Sequence, residues 1–353
     1  MTDFRIAVLP GDGIGPDVTA EGLKTLRAVE TAIPELRFHC DEMSVGANEF
    51  LRGGDPLPPA TMERMKDYDA ILLGAMGLPG VRWPDGKEMT PQIDIREILD
   101  LYCGLRPIRT YHADDSPLKN GANIDLVLIR ENTEGLFFGR HGSADLNGDM
   151  AQDTMRVTRH ASVRLFHSAF KLARERRKKV TLVDKANVLP TMAYFRHIFQ
   201  QVAAEYPDVA TESVYVDAAA LFLVRRPQDF DVMVTENMFG DILSDLASGL
   251  VGGMGMAPSG DIGDKYAVFQ PSHGTAPDIA GKGIANPVAM ILSTAMMLDW
   301  LPGEASKQGG RLLHRAVESI LADPSARTPD VGGVLKTHEM GDRIAAAVLA
   351  AGT

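Results

Sequence analysis

Short apolar runs rich in valine, isoleucine and leucine recur at residues 5–9, 70–73, 126–130, 180–183, 214–216 and 232–235. Longer amphipathic stretches, such as 16–32, 161–176 and 194–204, separate them. Strands joined through helices lie parallel, so this alternation predicts an α/β fold with a largely parallel sheet. The 353 residues suffice for two domains or one large one. A 45% hydrophobic share beside 24% charged residues builds an ordinary core that needs no staples. Two segments rich in glycine and proline, 77–91 and 252–263, read as loops and as candidate hinges where the chain crosses between domains.

Charge and cysteine content narrow the function classes. A formal net charge of −11 argues against a nucleic-acid partner, which would need a basic face. An anionic substrate would need local arginines or a metal to overcome that field. Cys40 and Cys103 cannot build a disulfide framework and suit a reducing compartment. The first strand runs straight into a glycine turn, with no signal-peptide pattern before it. The apolar stretch 287–301 contains Ser293, Thr294 and Asp299 and is too short for a bilayer. A cytoplasmic protein without membrane partners is expected.

The run Gly11-Asp12-Gly13-Ile14-Gly15-Pro16 looks like a dinucleotide fingerprint, but its third glycine comes one residue early. It reads as a tight strand-to-helix turn, and an ordinary Rossmann fold is rejected. Asp241 and Asp245 are four apart in a helix-like run and project from one face. An N-cap plus a solvated acid would explain them equally well, until Asp217 is added from the end of another strand. Three carboxylates suit Mg²⁺ or Mn²⁺, whereas the cysteine and clustered histidine of a zinc site are missing. Lys185 follows a strand, where ligands of open α/β sheets bind, and near a metal it could serve as a base; a surface lysine is the commoner case. Arg96, Arg106, Arg109 and Arg130 can grip carboxylates in bidentate fashion, though taken singly each reads as a surface ion pair. The turn His273-Gly274-Thr275-Ala276-Pro277-Asp278 lets backbone approach a ligand at Gly274 and offers Asp278 to ribose hydroxyls; an Asx-type loop is the plain alternative.

Together these segments resemble the β-decarboxylating dehydrogenases, the family of isopropylmalate, isocitrate, homoisocitrate and tartrate/D-malate dehydrogenases. The resemblance spans nearly the whole chain, through LPGDGIGPDV, LYCGLRPIR, IRENTEGLFFG, VDKANVL, YVDAAALFLV, TENMFGDILSDLAS, PSHGTAPDIAGKGIANP and TPDVGG. It implies an isopropylmalate dehydrogenase-like two-domain α/β fold, not a Rossmann fold. Residues 1–103 plus 255–353 would form a cofactor-binding domain, and 104–254 a dimerisation and metal/substrate domain. It implies a homodimer with shared active sites. Arg96, Arg106 and Arg130 would bind the carboxylates of a malate-type substrate. Asp241 and Asp245 of one subunit, with Asp217 of its neighbour, would hold Mg²⁺ or Mn²⁺. Lys185, also from the neighbour, would take the hydroxyl proton. Residues 273–278 (His273, Gly274, Thr275, Ala276 and Asp278 among them) with Asn286 would carry the adenosine end of NAD, and Ile14 would lie near the nicotinamide.

Two departures stand out. The family's proton-donating tyrosine, seven residues after Arg130, is Phe137 here, and phenylalanine has no proton to give. Tyr102, Tyr215 or a water must replace it, or decarboxylation is slow or absent. The substrate-selecting run Glu88-Met89-Thr90-Pro91-Gln92-Ile93-Asp94-Ile95-Arg96 matches none of the apolar, serine/asparagine or DHxxLWGxL patterns of the family branches. The expected activity is therefore 3-isopropylmalate dehydrogenase-like, with isocitrate/homoisocitrate or tartrate/D-malate as alternatives. An inactive regulatory subunit and an organic-acid binding protein are the readings from other classes.

Overall fold

The computed structural model describes residues 2–118, 123–142, 144 and 147–352. Ten strands form one sheet: β1 (Thr2–Gly11), β2 (Leu36–Glu42), β3 (Ala70–Ala75), β4 (Cys103–Arg109), β5 (Asp125–Glu131), β6 (Lys179–Asp184), β7 (Ala210–Tyr215), β8 (Val232–Thr235), β9 (Pro258–Ile262) and β10 (Ala267–Pro271). Their order across the sheet is β2-β1-β3-β10-β9-β4-β5-β8-β6-β7. The two flanks are parallel, as the alternation predicts. The centre is not: β4 runs antiparallel to both β5 and β9, and β9 runs antiparallel to β10. The sheet is therefore largely parallel, as expected, but mixed, with an antiparallel centre that the alternation did not announce.

The antiparallel centre is built from sequence that does not look like strand. Residues 258–262 lie inside the segment read as a hinge loop, yet Pro258 to Asp261 are buried as β9. Their backbone is paired on both sides, by β10 and β4. Buried hydrogen bonds replace the apolar side chains that usually announce a strand: the Ser259 amide donates to Ser293 Oγ, and Asp261 accepts from three side chains. β4 carries Pro107, but only Cys103 to Leu105 pair with β9, so the missing N–H falls beyond that ladder.

Two large apolar clusters flank this centre. One joins both chain ends, with Ile6, Val18, Leu26, Phe269, Ile291, Leu313 and Ile344. The other is built from the middle of the chain, with Val127, Phe166, Phe170, Leu182, Phe195 and Val234. The helix Val288–Trp300 is buried through Leu298, which explains its largely apolar composition. Among the described residues, no helix is long and apolar enough to cross a membrane.

The glycine turn after β1 is a packing device. Gly11 and Gly13 have φ of 75° and 57°, and a Cβ at Gly13 would lie 2.0 Å from the Thr275 carbonyl oxygen. The Ile14 amide donates to that same oxygen at 2.8 Å. This brings the first motif of the chain against the turn at 273–278.

Candidate active site

The ends of β3, β5 and β10, the middle of β4, and the helices Pro91–Ile98 and Asn237–Gly249 surround a cavity of about 350 Å³. It is lined by Arg96, Arg106, Arg130, Asp241 and Asp245, with Phe137, Gln92, Ile93, Gln270, Ser272, His273 and Gly274 completing the wall. Residues more than a hundred positions apart thus meet in one place, which removes the surface-ion-pair reading for the three arginines. Arg109 is not among them; its guanidinium pairs with Glu318 at the surface.

Each arginine is anchored by one edge. Arg96 sits in the last turn of its helix, and its Nε donates to Asp261 Oδ2 at 2.9 Å. Arg106 Nη1 donates to Ser272 Oγ at 2.8 Å, while its buried Nε has no partner. Arg130 lies next to the end of β5, and its Nε donates to Asn237 Oδ1 at 2.8 Å while Nη1 donates to Asp241. The helix carrying Asp241 lies close upon Arg130 because Gly240 has no side chain; a Cβ there would be 2.8 Å from Arg130 Cβ. Glu236 caps the start of that helix, accepting from the Phe239 amide at 2.6 Å.

Burial shapes the electrostatics. Desolvation lowers Arg130 to about 10, assisted by the like charge of Arg96. Desolvation also lowers Arg106. Asp245 is raised, first by burial and then by the neighbouring Asp241 charge. Asp261 is fully buried; burial opposes its charge, but Arg96 and Arg106 outweigh burial and hold its pKa below the usual carboxylate range. Asn132 Nδ2 and Gln270 Nε2 also donate to it, at 2.8 and 2.6 Å. Asp261 is the central counter-charge of the arginine cluster, and sequence reasoning passed over it inside a segment read as loop.

A model described as isocitrate/isopropylmalate dehydrogenase matches residues 5–344. The chain belongs to the isocitrate/isopropylmalate dehydrogenase family. It is 44% identical to a 3-isopropylmalate dehydrogenase of Aquifex aeolicus, covering 98% of this chain and 97% of that one. The corresponding protein of Corynebacterium efficiens is 42% identical, with 98% and 100% covered. Among solved structures, the isocitrate dehydrogenase of Methylococcus capsulatus superposes with a TM-score of 0.89 at 37% identity, over 98% of this chain and 99% of that one. A β-decarboxylating dehydrogenase of Thermococcus kodakarensis gives 0.81 at 38%, over 98% and 96%. The chain is thus a dehydrogenase of hydroxy acids, and its α/β architecture is the one those structures share.

Within this family member, two expected site residues stand apart from the cavity. Asp217 does not end a strand; it lies in the first turn of the helix Val216–Arg225. Lys185 follows β6, and its Nζ lies 2.5 Å from Asp217 Oδ1. One chain therefore does not bring Asp217, Asp241 and Asp245 together, and among the described residues no cluster of three or more metal-binding side chains is present. Tyr102 is also removed from the cavity, its hydroxyl donating to Asp264 at 3.1 Å. Tyr215 sits beside the exposed pair, with Lys185 Nζ 5.9 Å from its ring. Phe137 packs against Arg130, whose Cζ is 5.1 Å from the ring centre.

Of the residues expected at the cofactor, Ile14 and Thr275 are buried and joined, and Ala276 holds a left-handed φ of 35°. His273 and Gly274 reach the cavity, and the buried Nε2 of His273 has no partner. Asp278 is exposed. Asn286 is buried, and its Nδ2 donates to Asp330 at 3.1 Å.

Proposed function

We propose that the chain oxidises and decarboxylates a malate-type 2-hydroxy acid, using NAD and Mg²⁺ or Mn²⁺, as a cytoplasmic homodimer. 3-Isopropylmalate is the first candidate because the relatives named above carry it in their names. The observation that carries this reading is the meeting of Arg96, Arg106 and Arg130 with Asp241 and Asp245 around one cavity. Guanidinium groups suit carboxylates. The two aspartates offer hard oxygen donors, and the repulsion that helps to raise Asp245 is what a dication between them would relieve. When bound, NAD would accept a hydride and the cation would draw electron density from the substrate oxygen.

The chain's own residues supply binding and proton transfer. The arginines hold the substrate carboxylates and orient C2. Lys185 and Asp217 do not line this cavity, and in this reading a second copy of the chain brings them to the site. Exposed Leu221 and Val224 on the helix Val216–Arg225, and Ile242 on the adjacent helix Asn237–Gly249, support self-association on that face. Lys185 accepts the hydroxyl proton as hydride leaves C2. The bond from C3 to its carboxylate then breaks, carbon dioxide departs, and the electron pair left on C3 needs a proton. Phe137 cannot give it, and Tyr215 is the phenol that would enter alongside Lys185. In this reading residues 1–103 and 255–353 carry the cofactor, and 104–254 dimerise. Ile14, Thr275 and Asp278 face NAD, with Asp278 favouring ribose hydroxyls over a phosphate.

The test is NADH formation from a panel of malate-type acids with Mn²⁺, with and without excess chelator. Turnover that stops with chelator and falls at least about a hundredfold in Asp241→Asn supports the reading. Full turnover in chelator sinks it.

A further inference from the structure

One buried carboxylate in the glycine turn holds backbone from two other segments. Asp12 is fully buried, and its partners are amides: Oδ2 accepts from Ala47 at 2.7 Å and from Gly77 at 2.9 Å, and Oδ1 accepts from Asn48 at 2.9 Å. Ala47 and Asn48 open the short helix Ala47–Gly53, whose preceding residue, Gly46, has no side chain to cap it. Asp12 caps it instead from a distance, and a Cβ at Gly46 would lie 2.3 Å from Asp12 Oδ2. Gly77 heads the segment 77–91, and Met76 just before it lines the substrate cavity.

That segment is otherwise bonded mainly to itself. Among the described residues, the hydrogen bonds of residues 78–88 stay within it, as from the Trp83 amide to the Lys87 carbonyl at 2.9 Å. Trp83 packs edge-on against Phe50 of the helix Ala47–Gly53, with ring centres 5.3 Å apart. Asp12 therefore fixes the segment directly at Gly77 and indirectly through the helix that Trp83 meets. On its other side Asp12 is continuous with the expected cofactor turn. Its amide donates to the Ala75 carbonyl at 2.8 Å, and two residues on, the Ile14 amide donates to the Thr275 carbonyl. In that turn the buried, unpartnered Nε2 of His273 leaves a demand that a polar ligand would meet.

We infer that Asp12 is a positioning residue that passes occupation of the cofactor turn to the segment 77–91, so that NAD orders one edge of the substrate cavity before the hydroxy acid enters. The inference rests on the reading that Ile14 and Thr275 face NAD. A ligand held against those two residues restricts the glycine turn. The amides bonded to Asp12 follow its carboxylate, because leaving Ala47 or Gly77 buried and unpaired is costly. Differential ordering of this kind is what lets one ligand prepare the site of another.

The experiment is limited trypsin digestion after the exposed Arg82 and Lys87, read by mass spectrometry, without ligand and with saturating NAD. Wild type, Asp12→Asn and Gly46→Ala are compared, and calorimetry gives the Kd of NAD for each. Neither measurement needs turnover. In the wild type, NAD should slow cleavage about fivefold or more. Asp12→Asn sets an N–H donor against amide donors, and Gly46→Ala pushes the carboxylate aside from outside the turn. Each variant should be cut about tenfold faster than wild type without ligand. NAD should slow that cleavage by less than about twofold while its Kd stays within about fivefold of wild type. Where Asp12→Asn folds poorly, Gly46→Ala carries the test. A cap with a structural role alone would raise the unliganded rate and leave the protection by NAD in place, which overturns the inference. Wild-type cleavage unchanged by bound NAD overturns it too and leaves the cofactor reading intact. NAD that fails to bind the wild type overturns the cofactor reading and this inference with it.

Discussion

Arg96, Arg106, Arg130 and Asp261 are buried and compensate one another within one chain, whereas Lys185 and Asp217 pair at the surface, with the Asp217 side chain 68% exposed. Lys185 lowers the Asp217 pKa through their hydrogen bond, yet an ion pair so exposed contributes little to stability. The two groups therefore have different dependences. The buried cluster is part of the fold, and losing one charge leaves another stranded. The surface pair is dispensable to the fold and matters only if something docks over it. The difference separates residues that a single chain must organise from residues it offers outward.

The largest effect should come from breaking the outward-facing group. Lys185→Met is expected to lower kcat by about a hundredfold to ten-thousandfold, the usual worth of a positioned base, while melting within about 1 °C of wild type. Asp241→Asn should also be nearly inactive. If each site draws Lys185 from one copy and Asp241 from the other, one site of every mixed dimer is intact. Refolding an equimolar mixture of the two variants should then restore about a quarter of wild-type activity by random pairing. A mixture as inactive as its components would show that both residues serve the same chain's site.

Breaking the buried group should cost stability first. Asp261→Asn removes the counter-charge that Arg96 and Arg106 share, and loss of one member of a buried ion pair commonly costs about 3–5 kcal/mol. Calorimetry should show a clear drop in Tm, and any folded fraction should show a raised KM for the hydroxy acid. An unchanged Tm would mean that water already screens the cluster. Lys185→Met and Asp261→Asn thus give opposite signatures, activity lost without stability against stability lost with affinity.

That contrast also marks what was legible in the sequence. The flanking strands announce themselves through runs such as residues 70–73 and 232–235, because parallel strands buried on both faces are apolar throughout. Arg96, Arg106 and Arg130 were pointed to by the family resemblance, since each taken singly read as a surface ion pair, whereas Asp241 and Asp245 carried their own four-residue helical spacing; the cavity brings all five together. β9 was not, since its burial rests on Ser259 and Asp261 bonding to partners distant in sequence. Asp261 looks like any loop aspartate until β4 and β10 are placed on either side of it. The separation of Lys185 and Asp217 from the cavity is not encoded by local pattern either, and was implied only by the resemblance, which gives both residues to the neighbouring subunit. Phe137 was visible as a missing phenol, and its contact with Arg130 was not.

Cofactor choice tests the exposed side more gently. Asp278 is exposed at the turn that packs on Ile14 through Thr275. A carboxylate there would repel the extra phosphate of NADP. Wild-type kcat/KM should favour NAD, and Asp278→Lys should narrow the preference by about tenfold without moving Tm. Equal efficiency with both cofactors in the wild type would remove Asp278 from the cofactor site.

The smallest effect concerns a buried charge that lacks the compensation Asp261 enjoys. Glu131 follows Arg130 at the end of β5 and is 3% exposed. Its carboxyl accepts from the Thr133 amide at 3.0 Å, from Thr133 Oγ1 at 2.7 Å and from the Glu134 amide at 2.6 Å. Burial outweighs those bonds and pushes its pKa from 4.5 up to about 7. A raised value means that the folded chain holds this proton more tightly than the unfolded chain. The contribution to stability is full below pH 4.5 and is lost as pH rises to about 7. Glu131→Gln keeps an acceptor for the same amides and abolishes the titration. The Tm of the variant minus that of wild type should therefore grow by about 1–2 °C between pH 5 and pH 7.5, with the two curves parallel above that range. Parallel curves across the whole range would mean that Glu131 stays ionised in the fold, and that the hydrogen bonds from Thr133 and Glu134 compensate it as fully as the arginines compensate Asp261.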